Sequence, residues 1–248
     1  MISRPSVIIF DVDDVLVDVR GSFQRTTLET VKFFTERRVT RTELHRWKNR
    51  QGFNDDWKLS TAWVQALGGG FDYKEVKRKF VELYWGKNGK GNVTREKWLL
   101  PRLSLRRLAN TSELAIFTGR TRRELDCTLD RFRVREFFKW IVTIEDVKQS
   151  KPDPEGLRLI ANGRDPSLGV YVGDNVDDAL AARSVRMPFV AVLPRRSEER
   201  RQRGERLRKL GAQIILSDIS ELEAWLDIAF ATRRVPELRS HQRHSTSR

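Results

Sequence analysis

Three features of the chain predict an α/β protein, a doubly wound parallel sheet core with an all-helical domain inserted after the first strand. A short apolar run, Val7-Ile8-Ile9-Phe10, leads straight into acids at Asp11 and Asp13. Residues 20–86 carry only helical periodicity and hold four of the seven tryptophans. From about Thr94, apolar strands and amphipathic helices alternate as far as a last helix through Trp225. The expected division is a core of residues 1–19 and 87–229, a helical cap of residues 20–86, and a basic, disordered tail of residues 230–248.

The first strand is too short for a membrane span and too continuous for a half-exposed strand. It reads as a strand buried on both faces, as in a parallel sheet. Ligands of such sheets bind beyond the carboxyl ends of the strands, where Asp11 stands. Asp13 follows two residues on, so an extended path points both carboxylates the same way. Paired carboxylates are costly unless a cation or a proton compensates. Taken alone, the stretch is equally open to two readings. One is a Mg²⁺ site with an aspartate nucleophile and a second aspartate as acid/base. The other is a capped strand end with solvated acids.

The helical stretch follows in order. Ser22 is placed to cap a helix through Phe23, Leu28, Val31 and Phe34. Thr40 and Glu43 form a capping box before Leu44 and Trp47. Asp55 or Asp56 caps a third helix with Trp57, Trp63, Val64 and Leu67, which Gly68-Gly69-Gly70 ends. Asp72 to Glu75 starts a fourth, with Val76, Phe80, Leu83 and Tyr84. Gly86 to Gly91 reads as a connector.

In the alternating part, Leu105 and Leu108 belong to a helix and Leu114 to Phe117 form a strand ending at Thr118. Leu125, Leu129 and Phe132 recur at helical spacing. Trp140 to Ile144 is a strand, Gly156 to Asn162 a helix, and Gly169 to Gly173 a strand ending at Asp174. Asp177 to Ser184 is a short helix, Phe189 to Leu193 and Gln213 to Leu216 are strands, and Ser220 caps the last helix.

Composition narrows the function classes. No signal-peptide pattern develops before Asp11 and no long apolar run follows, so the cytoplasm is the expected location. The single cysteine, Cys127, excludes an internal disulfide and reads as a buried or neutral thiol rather than a nucleophile. The net charge of +14 invites a nucleic-acid reading. Yet residues 195–209 carry +5 and residues 230–248 carry +4, leaving only +5 for the rest. A solvated helix face and a basic tail are favoured over a nucleic-acid surface. Histidine-based catalysis is disfavoured, because His45 is the only histidine outside the tail and reads as a helix-surface residue.

Three further strand or loop ends carry chemistry. Thr118-Gly119-Arg120 offers a hydroxyl and backbone N–H groups at a strand-to-helix turn, suited to phosphate oxygens. Lys151-Pro152 sets a lysine before a stiff turn opening a helix. Gly173-Asp174-Asn175-Val176-Asp177-Asp178 clusters carboxylates past a buried strand, a pattern that asks for a cation.

In combination, the ordered set Asp-x-Asp, Thr-Gly, Lys-Pro and Gly-Asp-x-x-Asp-Asp resembles the haloacid dehalogenase-like hydrolase superfamily. The resemblance covers residues 6–228, and the long span between Asp11 and Thr118 matches the subgroup whose helical cap follows the first strand of a Rossmann-like core. It implies that Asp11 attacks phosphorus and becomes an aspartyl phosphate. It implies that Asp13 acts as acid and then base and gives its backbone carbonyl to Mg²⁺. Thr118 with the N–H groups of Gly119 and Arg120 would hold phosphoryl oxygens, and Lys151 would neutralise charge. Asp174 would ligate Mg²⁺ with Asp178 (or Asp177) in support. These types suit phosphoryl transfer, which is mainly positioning and charge neutralisation. Asp14, Val15 and Asn175 stand where the family often has glycine, threonine, and serine or threonine.

The cap should choose the substrate. The polar stretch from Lys48 to Trp57 between two helices is its most unusual part, and Arg50, Asn54 and Trp57 are expected to face substrate. Helix capping by Asn54 and Asp55, with Trp57 in the cap core, is the competing reading. Arg20 follows the catalytic loop and is placed to reach the leaving group. The subgroup resembles phosphoglycolate phosphatases, and some relatives are joined to histidine-biosynthesis enzymes. The expected activity is therefore Mg²⁺-dependent hydrolysis of a small soluble phosphomonoester, phosphoglycolate- or histidinol-phosphate-like. A phosphomutase using Arg20, Lys48 and Arg50 for a second phosphate, and a basic nucleic-acid-binding protein, are the alternatives. No membrane partner is expected, and the oligomeric state stays open.

Overall fold

The computed structural model describes residues 4–48, 50, 52–53, 55–194 and 200–231. In chain order the strands and helices are β1 (Val7–Phe10), β2 (Val17–Asp18), α1 (Phe23–Thr35), α2 (Arg41–Lys48), α3 (Asp56–Ala66) and α4 (Tyr73–Trp85). Then come β3 (Lys97–Trp98), α5 (Arg102–Ala109), β4 (Glu113–Phe117), α6 (Arg122–Phe132), β5 (Trp140–Val142) and α7 (Glu155–Ala161). The chain continues through β6 (Gly169–Gly173), α8 (Val176–Ser184), β7 (Phe189–Val192), α9 (Arg200–Lys209), β8 (Ala212–Leu216) and α10 (Leu222–Ala231).

Six parallel strands form one sheet in the order β5-β4-β1-β6-β7-β8. The first strand is central because its apolar residues serve two cores at once. Ile8 and Phe10 enter the cluster on one face, and Val7 and Ile9 enter the other. Phe10 pairs with Ile116 on one side and Val172 on the other, so β4 and β6 each run one residue past β1. The connections run outward in opposite directions from β1, which opens a crevice at its carboxyl end.

The four helices α1–α4 pack on their own apolar cluster of Val31, Leu44, Leu59, Trp63, Val64 and Val76. Asp55 caps α3, its carboxylate accepting from the N–H groups of Trp57 and Lys58. The capping boxes at Thr40–Glu43 and Asp72–Glu75 both form. Among the described residues no helix is long and apolar enough to cross a membrane.

Several boundaries differ from expectation. Ser22 does not cap α1. It is fully buried, and its hydroxyl turns back to the Val19 carbonyl at 3.5 Å. The Gly86–Gly91 connector is a tight return, in which the Gly91 N–H donates to the Trp85 carbonyl at 2.8 Å. A Cβ on Gly86, at φ +60°, would lie 2.4 Å from the Gly91 nitrogen. An antiparallel pair, β2 with β3, leaves no periodic trace because each strand has two residues. Ser220 lies within a 3₁₀ turn that Asp218 caps, and α10 starts only at Leu222. Helix α8 starts one residue early, at Val176, with Asn175 and Asp178 closing a capping box. The expected tail from Thr232 onward, and Arg195 to Glu199, lie outside the described residues.

Candidate active site

The carboxyl ends of β1, β4 and β6 bring Asp11, Thr118 and Asp174 together with Lys151. Asp11 is held in line by its N–H, which donates to the Val172 carbonyl at 2.8 Å. Lys151 is buried, and its ammonium donates to Asp11 Oδ1 at 2.7 Å, Asp178 Oδ1 at 2.8 Å and the Tyr171 hydroxyl at 3.0 Å. It precedes a cis proline, Pro152. Asp178 Oδ2 accepts from the N–H groups of Asp174 and Asn175. A Cβ on Gly173 would lie 2.6 Å from Asp178 Oδ2, so glycine there lets the helix α8 carboxylate close on the strand end.

Asp11, Asp174 and Asp178 each bring a carboxylate oxygen within 4.8 Å of the others. The donor set is all oxygen, which fits a hard divalent cation. The electrostatics agree. Burial, partly offset by Lys151, raises Asp11 well above the usual carboxylate range. Burial also raises Asp174, against the pull of Arg203. Burial and the Asp174 charge push Asp14 up to about 7. Burial thus makes charge on these carboxylates costly, a cost that a bound cation would offset. Lys151 is driven the other way. Burial alone would lower it, but Asp11 and Asp178 outweigh that and raise it.

Of the two neighbouring acids, Asp178 joins this cluster and Asp177 does not. Asp177 takes a hydrogen bond from the Gly52 N–H in the α2–α3 loop, and burial pushes it up to about 6. Asp14 has φ 58°, the left-handed region. That geometry explains why glycine suits this position, and aspartate is among the residues that tolerate it.

Thr118 and Gly119 line a cavity of about 400 Å³ that also exposes Lys151, Lys58, Lys148 and Asp55. The Thr118 N–H donates to the Val142 carbonyl at 3.0 Å and its hydroxyl oxygen accepts from the Arg120 N–H at 3.2 Å, which fixes the turn at the cavity wall. A narrower cleft is lined by Asp11, Asp13, Trp57, Gly119 and Arg120. Trp57 packs against the main core cluster rather than the helical one, so it does not lie in the cap core.

Three expected substrate contacts are corrected. Arg20 is held by a two-toothed bond to Asp18, its side chain is 66% exposed, and it lines neither cavity. The exposed Arg50 lays its guanidinium over the Trp47 ring at 4.3 Å, away from both cavities. The Arg120 N–H, expected to hold a phosphoryl oxygen, donates to Thr118 Oγ1 at 3.2 Å, and the guanidinium reaches the cleft only from behind. The Arg120 side chain is 1% exposed and is bound to Asp13, Glu96 and Thr128. Asn54 lies outside the described residues.

Two residues at the site, Tyr171 and Arg203, stand outside the sequence motifs, and Lys48, expected to hold a second phosphate, pairs with an acid instead. Tyr171 is one polar handle in an otherwise aliphatic strand, a signal that could have been read. Lys48 reaches Asp56 at 3.2 Å. Burial opposes its charge, but Asp56, Asp14, Asp13 and Asp174 raise it regardless. Arg203 belongs to the stretch expected as a solvated face, yet it donates to Asp174 Oδ2 at 3.0 Å. The basic helix α9 thus turns one arginine inward, and among the described residues nothing supports a nucleic-acid surface. His45 is half-buried rather than on the helix surface, and burial together with Arg203, Lys48 and Arg41 lowers it to about 4.

Residues 8–192 match the family model described as haloacid dehalogenase-like hydrolase. The chain belongs to this family. It is 29% identical over 191 residues to an imidazoleglycerol-phosphate dehydratase of Phytophthora nicotianae, covering 74% of this chain and 42% of that one. It is 30% identical over 139 residues to a phosphoglycolate phosphatase of Pseudomonas syringae pv. syringae, covering 50% of this chain and 51% of that one. The chain thus spans about half the length or less of these curated relatives. The fold of this haloacid dehalogenase-like hydrolase is similar to a crystal structure described as a predicted phosphoglycolate phosphatase from Haemophilus somnus. That match has TM-score 0.70 and 19% identity, over 89% of this chain and 97% of that one.

Proposed function

We propose that this protein is a Mg²⁺-dependent phosphatase that hydrolyses a small phosphomonoester through an aspartyl phosphate on Asp11. The observation that carries the reading is the buried Lys151 ammonium between Asp11 and Asp178, with Asp174 within ligand distance of both. A carboxylate cannot approach an anionic phosphate unless positive charge offsets the repulsion.

In the first step an Asp11 carboxylate oxygen attacks phosphorus. The bond to the leaving oxygen breaks, and Asp13 gives that oxygen its proton. In the second step Asp13 takes a proton from water, whose oxygen attacks phosphorus. The Asp11–phosphorus bond breaks, inorganic phosphate leaves, and both aspartates return to their starting forms. The Thr118 hydroxyl and the Gly119 N–H hold phosphoryl oxygens, and Lys151 balances the charge that Asp11 and the phosphate share. Asp11, the Asp13 backbone carbonyl, Asp174 and Asp178 would hold Mg²⁺, which when bound supplies electrostatic neutralisation of the phosphoryl group.

Residues 20–86 act as a cap over this pocket, with Trp57 on its inner side. The relatives named phosphoglycolate phosphatases put phosphoglycolate first among substrates to test, followed by the histidinol phosphate expected from the sequence. The reading predicts that Asp11→Asn releases no phosphate from p-nitrophenyl phosphate in the presence of Mg²⁺. Release at the wild-type rate contradicts it. Isomerised organic phosphate with no inorganic phosphate would mark a phosphomutase instead.

A further inference from the structure

We infer that Arg120 is the residue that positions Asp13 for proton transfer, through a buried network that also includes Glu96, Thr128 and Tyr84. The inference rests on the reading of Asp13 as the acid/base.

Arg120 donates through Nε at 2.9 Å and through Nη2 at 2.6 Å, and both bonds end on the same atom, Asp13 Oδ1. Among the described residues Asp13 Oδ2 takes no hydrogen bond, so one oxygen is anchored and the other is left for the proton. The two side chains also differ in access. Asp13 is 29% exposed, while Arg120 behind it is 1% exposed. An arginine bound to substrate would show the reverse.

The guanidinium is itself held on every side. Nη1 donates to the Thr128 hydroxyl at 2.6 Å, and Nη2 donates to Glu96 Oε1 at 2.8 Å. Glu96 is fully buried at its side chain and takes two further bonds, from the Thr128 hydroxyl at 2.7 Å and the Tyr84 hydroxyl at 3.1 Å. The Phe23 ring covers the guanidinium at 4.9 Å. Thus α1, α4, α6 and the segment before β3 all fix the direction in which Asp13 is pulled. Lysine could not replace this fork, because a single ammonium lacks the planar spread that joins Asp13, Glu96 and Thr128. A buried ion pair is poor at adding stability, since an apolar replacement of both partners is often neutral. A fully satisfied set that ends on one oxygen of a half-exposed aspartate is therefore better explained as orientation of that aspartate.

The test compares phenyl phosphate with p-nitrophenyl phosphate. The two share ring and charge, but nitrophenolate departs without a proton whereas phenolate needs one. Two variants keep the outcome readable. Arg120→Lys keeps the charge. The double variant Arg120→Met with Glu96→Gln removes the buried charges together and guards against misfolding, which near-ultraviolet circular dichroism checks. General acid catalysis is worth about 10²–10⁴-fold. Each variant should therefore lose about 10²-fold or more in kcat/KM on phenyl phosphate, and less than about 10-fold on p-nitrophenyl phosphate, matching the pattern of Asp13→Asn. Equal losses on both esters, or wild-type rates on phenyl phosphate, overturn the inference while leaving the phosphatase reading intact. A wild-type protein inactive on both esters would overturn that reading and this inference with it.

Discussion

Replacing Lys151 by methionine keeps most of the side-chain volume and removes one buried charge. The ammonium donates to Asp11 at 2.7 Å and Asp178 at 2.8 Å, and neither carboxylate is more than 5% exposed at its side chain. Removing one partner of a buried ion pair costs about 3–5 kcal/mol, because the other charge is left uncompensated. In a domain of this size each kcal/mol moves the unfolding midpoint by about 2–4 °C, so the variant should melt about 6–20 °C lower in chelator. The deficit should also depend on pH with a definite sign. Asp11 already has a folded pKa above its unfolded one, and Lys151 is the influence that restrains it. In the variant the folded protein binds the Asp11 proton more tightly still. Stability is then retained below the unfolded carboxylate pKa and lost as pH rises through the folded one. Calorimetry at about pH 5 and about pH 8 reads this, and Mg²⁺ should restore more of the midpoint in the variant than in wild type. A deficit that is absent, or equal at the two pH values, refutes the reasoning.

Other perturbations probe separate parts of the site. Gly173→Ala pushes a methyl into Asp178 and should weaken Mg²⁺ or Mn²⁺ binding about 10–100-fold by titration calorimetry, the range seen when support of a ligand is disturbed. Unchanged affinity would show that Asp178 does not hold the ion. His45 is lowered to about 4 in the fold, chiefly by burial and then by Arg203, so the unfolded chain gains a proton that the folded one refuses. Wild-type stability should therefore fall between about pH 6.5 and pH 4 by up to about 3 kcal/mol more than that of His45→Gln in denaturant melts. Parallel curves would exclude that charge environment. Asp55→Ala removes the α3 cap and should cost about 1 kcal/mol in the same melts.

The sheet was legible because its strands are buried on both faces and so appear as unbroken apolar runs, Val7 to Phe10 above all. The candidate catalytic residues were legible because parallel strands deliver them at fixed offsets, as Asp11, Thr118 and Asp174 do. Direction was not legible. Thr118-Gly119-Arg120 places an arginine beside a phosphate-type turn, and nothing in that triplet says that its guanidinium turns inward to Glu96, a residue in a segment with no periodicity. Arg203 stands among arginines whose spacing cannot tell an inward residue from a solvated one. Ser22 has the right identity for a cap, but burial of the β2–α1 turn gave its hydroxyl a nearer carbonyl.

The central claim is that Asp11 carries the phosphoryl group between two half-reactions. Rapid mixing with p-nitrophenyl phosphate and Mg²⁺, acid quenching, and mass spectrometry of the peptide containing Asp11 tests it directly. The account predicts a phosphoryl adduct on Asp11 that forms within the first turnover and is missing from Asp11→Asn. Full turnover with no adduct on that peptide, or an adduct on another residue, contradicts it.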